Sequence, residues 1–262
     1  MTPIFDVLAA IADLADSAGL VAILLLARVG AIAAMLPGFG EAFLSIRSRL
    51  AVAIALSVIV FPAAAPSYSV PTDAGPSLML MLLSEAMIGL LLGLGVRLVV
   101  MALQFAGSIA AQSTSIAQIA GAGVAPDPMP AMGNLLLMGG LTLALVLGVH
   151  VRAVASILET YRLLPPGAVI TGAQVYVWGV DHAMAAFDLA FTLAAPFVLT
   201  ALVYNVSLGV INRAMPQLMV AFVGAPAITG LTILILLFAI GAMLTVWFQA
   251  LDAYLLAPLE IR

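Results

Sequence analysis

At 262 residues, with 65% of positions hydrophobic and 8% charged, and a mean hydropathy of +1.28, the chain lies far outside soluble domains, which carry about 25% charged residues. It reads as an all-α integral membrane protein, because a hydrocarbon core of about 30 Å takes about 20 apolar residues per helix and several blocks reach that length. The net charge of -4 rests on few groups and all eight basic residues are arginine, so no polybasic arm exists to hold phosphate, anionic lipid or nucleic acid.

The chain has no cysteine, which excludes disulfides, a thiolate nucleophile and an iron-sulfur site. His150 and His182 are too few for a histidine-built metal centre, and no cofactor is expected. Asp6, Asp13 and Asp16 precede the first basic residue, Arg28. That is the wrong polarity for a cleavable secretory signal, so the mature chain is expected to start near Met1.

Residues 1–18 place Ile4, Leu8, Ile11 and Ala15 on one helical stripe with the aspartates off it, and read as a short amphipathic N-terminal helix. The first apolar block, Gly19 to Leu36, contains Arg28 near its middle, a placement costing about 2.5–3.5 kcal/mol on insertion scales. Such an arginine faces protein or water, not lipid. The turn Pro37-Gly38-Phe39-Gly40 ends the block, and Glu41, Arg47 and Arg49 mark an aqueous boundary.

Leu50 to Ala65 is the second block, closed by Pro62 and Pro66 and a loop containing Asp73. Ser77 to Ala106 follows as a run of about 30 residues, roughly 45 Å if helical, longer than a straight span. Glu85 and Arg97 inside it lie about 120° apart around the axis and about 18 Å apart along it. They cannot pair on one helix, so each needs a partner in another helix or another subunit. That role is favoured over proton carriage.

From Gly107 to Gly133 the chain turns polar without turning charged: Ser108, Gln112, Ser113, Thr114, Ser115 and Gln118, then Gly121, Gly123, Pro126, Pro128 and Pro130, with Asp127 the only ionisable group. Glycine frees the backbone and proline removes donors, so the second half cannot continue as a regular helix or strand. The stretch reads either as a connecting loop or as the lining of a pathway. Met129 and Met132 flank Pro130, and a flexible thioether packs against a varied chain without binding it tightly.

Asn134 to Val151 is the fourth block, with His150 an interfacial residue at its end and Arg152 beyond. After Glu159, Arg162 and the break Leu164-Pro165-Pro166-Gly167, a mildly polar connection reaches about Asp181. Ala183 to Ile211 is the fifth block, interrupted by Asp188, Pro196 and Asn205, followed by the polar run from Asn212 and Arg213 to Pro216 and Gln217. Arg213 reads as an interfacial anchor, or as a donor to carbonyls freed at Pro216, with Asn212 and Gln217 assisting. Ala227 to Leu256 is the sixth block, in a single unit spanning 1–262. If every block crosses once, Arg47, Arg49 and Arg213 fall on one side and Arg152, Arg162 and Arg262 on the other. That tie suggests that some blocks are hairpins that do not cross.

Asn205, Leu208-Gly209, Asn212-Arg213, Pro216-Gln217 and Gly224 with Pro226 resemble the FliR family of flagellar type III export proteins. Arg28, Pro37, Arg47, Arg49, Ile88-Gly89, Leu92-Gly93, Ala106-Gly107, Gln112, Asp127-Pro128, His150, Leu164-Pro165 and Gly167 follow in that family's order. The resemblance implies kinked helical hairpins in the bacterial cell membrane, part of the flagellar basal body, assembled with FliP, FliQ and FlhB into a gate for unfolded flagellar proteins. It also implies that Gly107 to Gly133 is the plug loop of that gate. Ser108 stands where relatives often have a glutamate, so closure here is expected to rest on packing and backbone hydrogen bonds.

No enzyme motif is present: HExxH is absent and Gly121 to Gly123 lacks the rest of a dinucleotide fingerprint. The competing readings are a virulence type III export component, a small-solute secondary transporter and a structural scaffold. The transporter reading meets no internal repeat and no acid that the sequence places beside Glu85.

Overall fold

Hydrocarbon offers the peptide group no partner but another peptide group, so apolar blocks of this length fold as helices. The computed structural model describes residues 3–36, 45–68, 76–115, 131–215 and 220–259, and among them every regular element is helical. These are α1 (Pro3–Met35), α2 (Ile46–Ala64) with a 3-10 turn (Ala65–Ser67), α3 (Pro76–Ser115), α4 (Ala131–Val146), α5 (Val149–Leu163), α6 (Gly172–Ala214) and α7 (Val220–Leu256). Five described stretches are long and apolar enough to cross a membrane, beginning at Ser17, Ile46, Leu78, Gly172 and Pro226; the broken pair α4 and α5 makes a sixth if counted as one span.

Helix boundaries differ from the sequence expectation at four places. The N-terminal amphipathic segment and the first block are one continuous helix, α1. The third helix runs past Ala106 to Ser115, because the Ser113 and Thr114 hydroxyls donate back to Ala110 at 2.8 and 3.0 Å and do not compete with the helix. The fourth block is broken where Gly148 takes φ 76°, a left-handed conformation that glycine adopts without penalty. Finally, the connection before the fifth block is helical from Gly172. There Thr171 and Gln174 form a capping box: Gln174 N donates to Thr171 Oγ1 at 3.4 Å and Thr171 N donates to Gln174 Oε1 at 2.9 Å. Asp188, Pro196 and Asn205 all sit within α6 without ending it.

The helices form two compact units, one of Met1–Arg97, Gly148–Asp181 and Asp252–Arg262, the other of Leu98–Leu147 and His182–Leu251. In the first, Leu25, Val29 and Ile32 of α1 pack with Val60 and Ala64 of α2, Ile88 and Leu92 of α3, and Ile157 and Tyr161 of α5. Gly89 and Gly93 let α3 approach α1 closely: a Cβ at Gly89 would overlap the Arg28 carbonyl and one at Gly93 would lie 2.6 Å from the Met35 Cβ. In the second unit the fully buried Trp247 donates Nε1 to the Val99 carbonyl at 2.9 Å. Its ring fills the space left open at Gly140.

At the surface of the first unit, Arg152 of α5 pairs with Asp252 of α7. Both side chains are partly solvent-exposed, so Arg152→Ala should change stability by less than about 1 kcal/mol. Thermal unfolding in detergent measures this, and a larger loss would assign the pair a structural role it does not have here.

Candidate functional site

Arg28 and Glu85 are both fully buried in the first unit, and each answers the other's charge. Arg28 Nε donates to Glu85 Oε2 at 2.7 Å and Nη2 donates to Oε1 at 2.9 Å, the two-pronged geometry that suits a planar guanidinium. Arg28 Nη1 donates to the carbonyls of Leu164 at 2.9 Å and Thr160 at 3.4 Å. These carbonyls lie at the C-terminal end of α5, where the helix leaves acceptors without intrahelical partners.

Glu85 is filled from its other side. Tyr68 OH donates to Oε2 at 3.0 Å, and the Gly167 backbone N donates to Oε1 at 3.2 Å. Burial, the largest influence, pushes the Tyr68 phenol well above its usual range, so it remains a donor. The Arg28 guanidinium also lies over the Tyr161 ring, 4.2 Å from its centroid, and Tyr68 packs against the same ring at 5.9 Å.

The Leu164-Pro165-Pro166-Gly167 break explains why so much polarity converges here. The two prolines have no N–H, Leu164 turns the chain at φ -127° and ψ 86°, and Gly167 completes the turn at φ 78°. Irregular backbone at this place exposes groups that lipid cannot satisfy, and the ion pair satisfies them. The cluster therefore clasps α1, α3, the end of α5 and the turn before α6 into one body. Among the described residues no group of histidine and carboxylate side chains has metal-binding geometry.

The other residues singled out in the sequence do not join this cluster. Arg97 lies half-exposed on α3. Asn205, Asn212 and Arg213 are exposed on α6, in the second unit, while Pro216 and Gln217 lie outside the described residues. Gly107 is buried on α3, where a Cβ would overlap the backbone of Gly133 on α4. Gln112 is exposed, Ser113 and Met132 are half-buried, and Ser115 is the last residue of α3. Gln118, Gly121, Gly123, Asp127, Pro128 and Met129 lie outside the described residues.

Sequence reasoning missed Tyr68, Thr160, Tyr161 and the backbone of Leu164 and Gly167. The signal that bore on them was the Pro-Pro-Gly break, a cluster of unsatisfied backbone in an apolar setting. A second signal was the four-residue Gly89/Gly93 spacing on the helix that carries Glu85.

Residues 20–254 match the family model described as bacterial export proteins, family 1. The chain is 28% identical over 229 residues to the flagellar biosynthetic protein FliR of Caulobacter vibrioides, covering 87% of this chain and 91% of that one. It is 27% identical over 199 residues to FliR of Aquifex aeolicus, covering 75% of each chain. To FliR of Bacillus subtilis it is 25% identical over 234 residues, covering 86% and 87%.

Proposed function

The chain belongs to family 1 of the bacterial export proteins, and from that premise we propose that it is a subunit of the flagellar type III export gate. It sits in the inner membrane within the flagellar basal body and builds the channel with FliP and FliQ, next to FlhB. Unfolded flagellar proteins pass through that channel, and the segment from Gly107 to Gly133 closes it between substrates. The observation that carries this reading is similarity to FliR proteins along nearly the whole chain.

Chemistry supports the plug. A gate for unfolded polypeptide has to offer exchangeable hydrogen bonds with little adhesion, which serine, glutamine and glycine supply and charged or aromatic side chains do not. The segment begins within α3 and ends within α4, and the two helix backbones meet at Gly107 and Gly133. A glycine-rich backbone suits an element that has to open at a cost of a few kcal/mol.

Deleting residues 112–123 tests the plug. The expected outcome is a chain that still co-purifies with FliP and FliQ from membranes but lets small ions leak across them. A tight membrane after the deletion would remove the plug role, and failure of FliP and FliQ to accompany the intact chain would remove the gate assignment itself.

A further inference from the structure

The last turns of α6, in the second unit, carry two unlike outward faces. Leu199, Val203, Val206 and Val210 share one of them, all exposed and all apolar, which suits lipid. On the neighbouring face Val198, Leu202, Asn205, Gly209 and Asn212 follow one another at steps of four, three, four and three residues, and they fall within an arc of about 80°. That is the heptad spacing of a seam made to pack against a second helix at a shallow left-handed crossing.

Nothing in the described chain covers this seam. All five residues are exposed, and α6 has no buried residue after Ala201. The helix leans on α7 through Tyr204 and Leu208, which meet Gly224; the seam lies between that side and the lipid-facing one. Among the described residues Asn205 and Asn212 have no hydrogen-bond partner, and Arg213, exposed at the border of the seam, has no ion-pair partner.

Glycine weakens a helix relative to alanine. At Gly107 and Gly140 the chain itself supplies the reason for one, since an added Cβ would overlap a neighbour, but at Gly209 it would meet nothing within 4 Å. A helix from outside the chain supplies the reason there, because small residues in a seam let two backbones close up. The carboxamides point the same way. Lipid cannot answer them, and membrane helices use such groups to hydrogen-bond across a helix pair. Water would answer them too, but a water-lined stripe gains nothing from Val198 and Leu202 in the same register.

We propose that Val198, Leu202, Asn205, Gly209 and Asn212 form the docking seam for one membrane helix of another gate subunit. That helix carries a small residue opposite Gly209, amide or hydroxyl side chains opposite Asn205 and Asn212, and a carboxylate within reach of Arg213. Charge argues against a second copy of this chain: two copies in one membrane share an orientation, so a symmetric pair would set two Arg213 guanidiniums side by side. That the partner is a gate subunit rests on the function proposed above; the seam itself does not.

Gly209→Leu in the full chain tests the seam, with Val203→Leu on the lipid-facing side as control. Because Gly209 has open space around it, the change should leave thermal unfolding of the purified chain in detergent near wild type. Co-purification of FliP and FliQ from native membranes should nevertheless fall about tenfold or more, since a side chain is forced between two helix backbones, while Val203→Leu retains it. Arg213→Glu should also lower it and Arg213→Lys should not. A benzophenone maleimide on Leu202→Cys, in a chain with no other cysteine, should cross-link on irradiation to one of those subunits, and the same probe on Val206→Cys should not. Undiminished FliP and FliQ with Gly209→Leu, or cross-links from Val206→Cys and none from Leu202→Cys, would overturn the seam and leave the gate reading standing. Equal yields from Arg213→Glu and wild type would remove the carboxylate, and an adduct of two copies of this chain from Leu202→Cys would overturn the choice of partner. Absence of FliP and FliQ from preparations of the intact chain would instead sink the gate reading, and the identity of the partner with it. If Gly209→Leu unfolds the chain, the Leu202→Cys cross-link, which leaves the glycine in place, still decides.

Discussion

Glu85→Ala is expected to destabilise the folded chain by about 3–5 kcal/mol, the range for breaking a buried ion pair by removing one partner. The cost comes less from the attraction lost than from what remains. The Arg28 guanidinium would lie in a fully buried site with no counter-charge, and Tyr68 OH and Gly167 N would lose their acceptor. Glu85→Gln, which keeps the shape and one acceptor oxygen, should fall between wild type and Glu85→Ala. Replacing both partners, Arg28→Met with Glu85→Met, should cost less than the sum of the single changes by about 0.5–3 kcal/mol, because no buried charge is then left over. It should still fall short of wild type, since the carbonyls of Thr160 and Leu164 would have lost their donor. Thermal unfolding in detergent of these variants, with Arg28→Met and Glu85→Met also measured singly, decides the matter. Single changes costing less than about 1 kcal/mol, or a strictly additive double, would mean that the pair does not hold the unit together.

The second large effect is expected at Gly107→Val. An added Cβ there meets the backbone of Met132 and Gly133, not a side chain that can swing aside, so α3 and α4 must separate. Overpacking of this kind costs about 1–3 kcal/mol, and it acts at the two helices that bound the proposed plug. Secretion of flagellar substrates should fall in parallel with the loss of thermal stability. Gly139→Ala is the matched control on α4: its Cβ would meet only Leu244 Cδ1, at 3.4 Å, and should leave both readouts near wild type. Equal behaviour of the two variants would show that the close approach at Gly107 has no special role.

The helical class and the family were legible because each rests on many residues at once: apolar length for the first, and the ordered elements from Arg28 to Pro226 for the second. The need of Glu85 for a partner off its own helix followed from helix geometry alone. Which partner it takes did not, because Arg28 lies 57 positions away and nothing local links them. The helical start at Gly172 was hidden by composition, although Thr171 and Gln174 carried the capping signal. Gly148 looked like one more glycine in an apolar run. Only its left-handed φ reveals that the fourth block breaks there.

The clasp also has a consequence in time. Arg28 leaves the ribosome 57 residues before Glu85 and 136 before Leu164. At about 5–20 residues per second, the growing chain waits about 3–11 s for the counter-charge and about 7–27 s for the carbonyls. During that interval the first apolar helix carries a cation with no partner from its own chain. Helix α1 emerges before its partners and is thus among the last elements of the unit to settle, so biogenesis of the unit proceeds by deferred closure instead of strict N-to-C order.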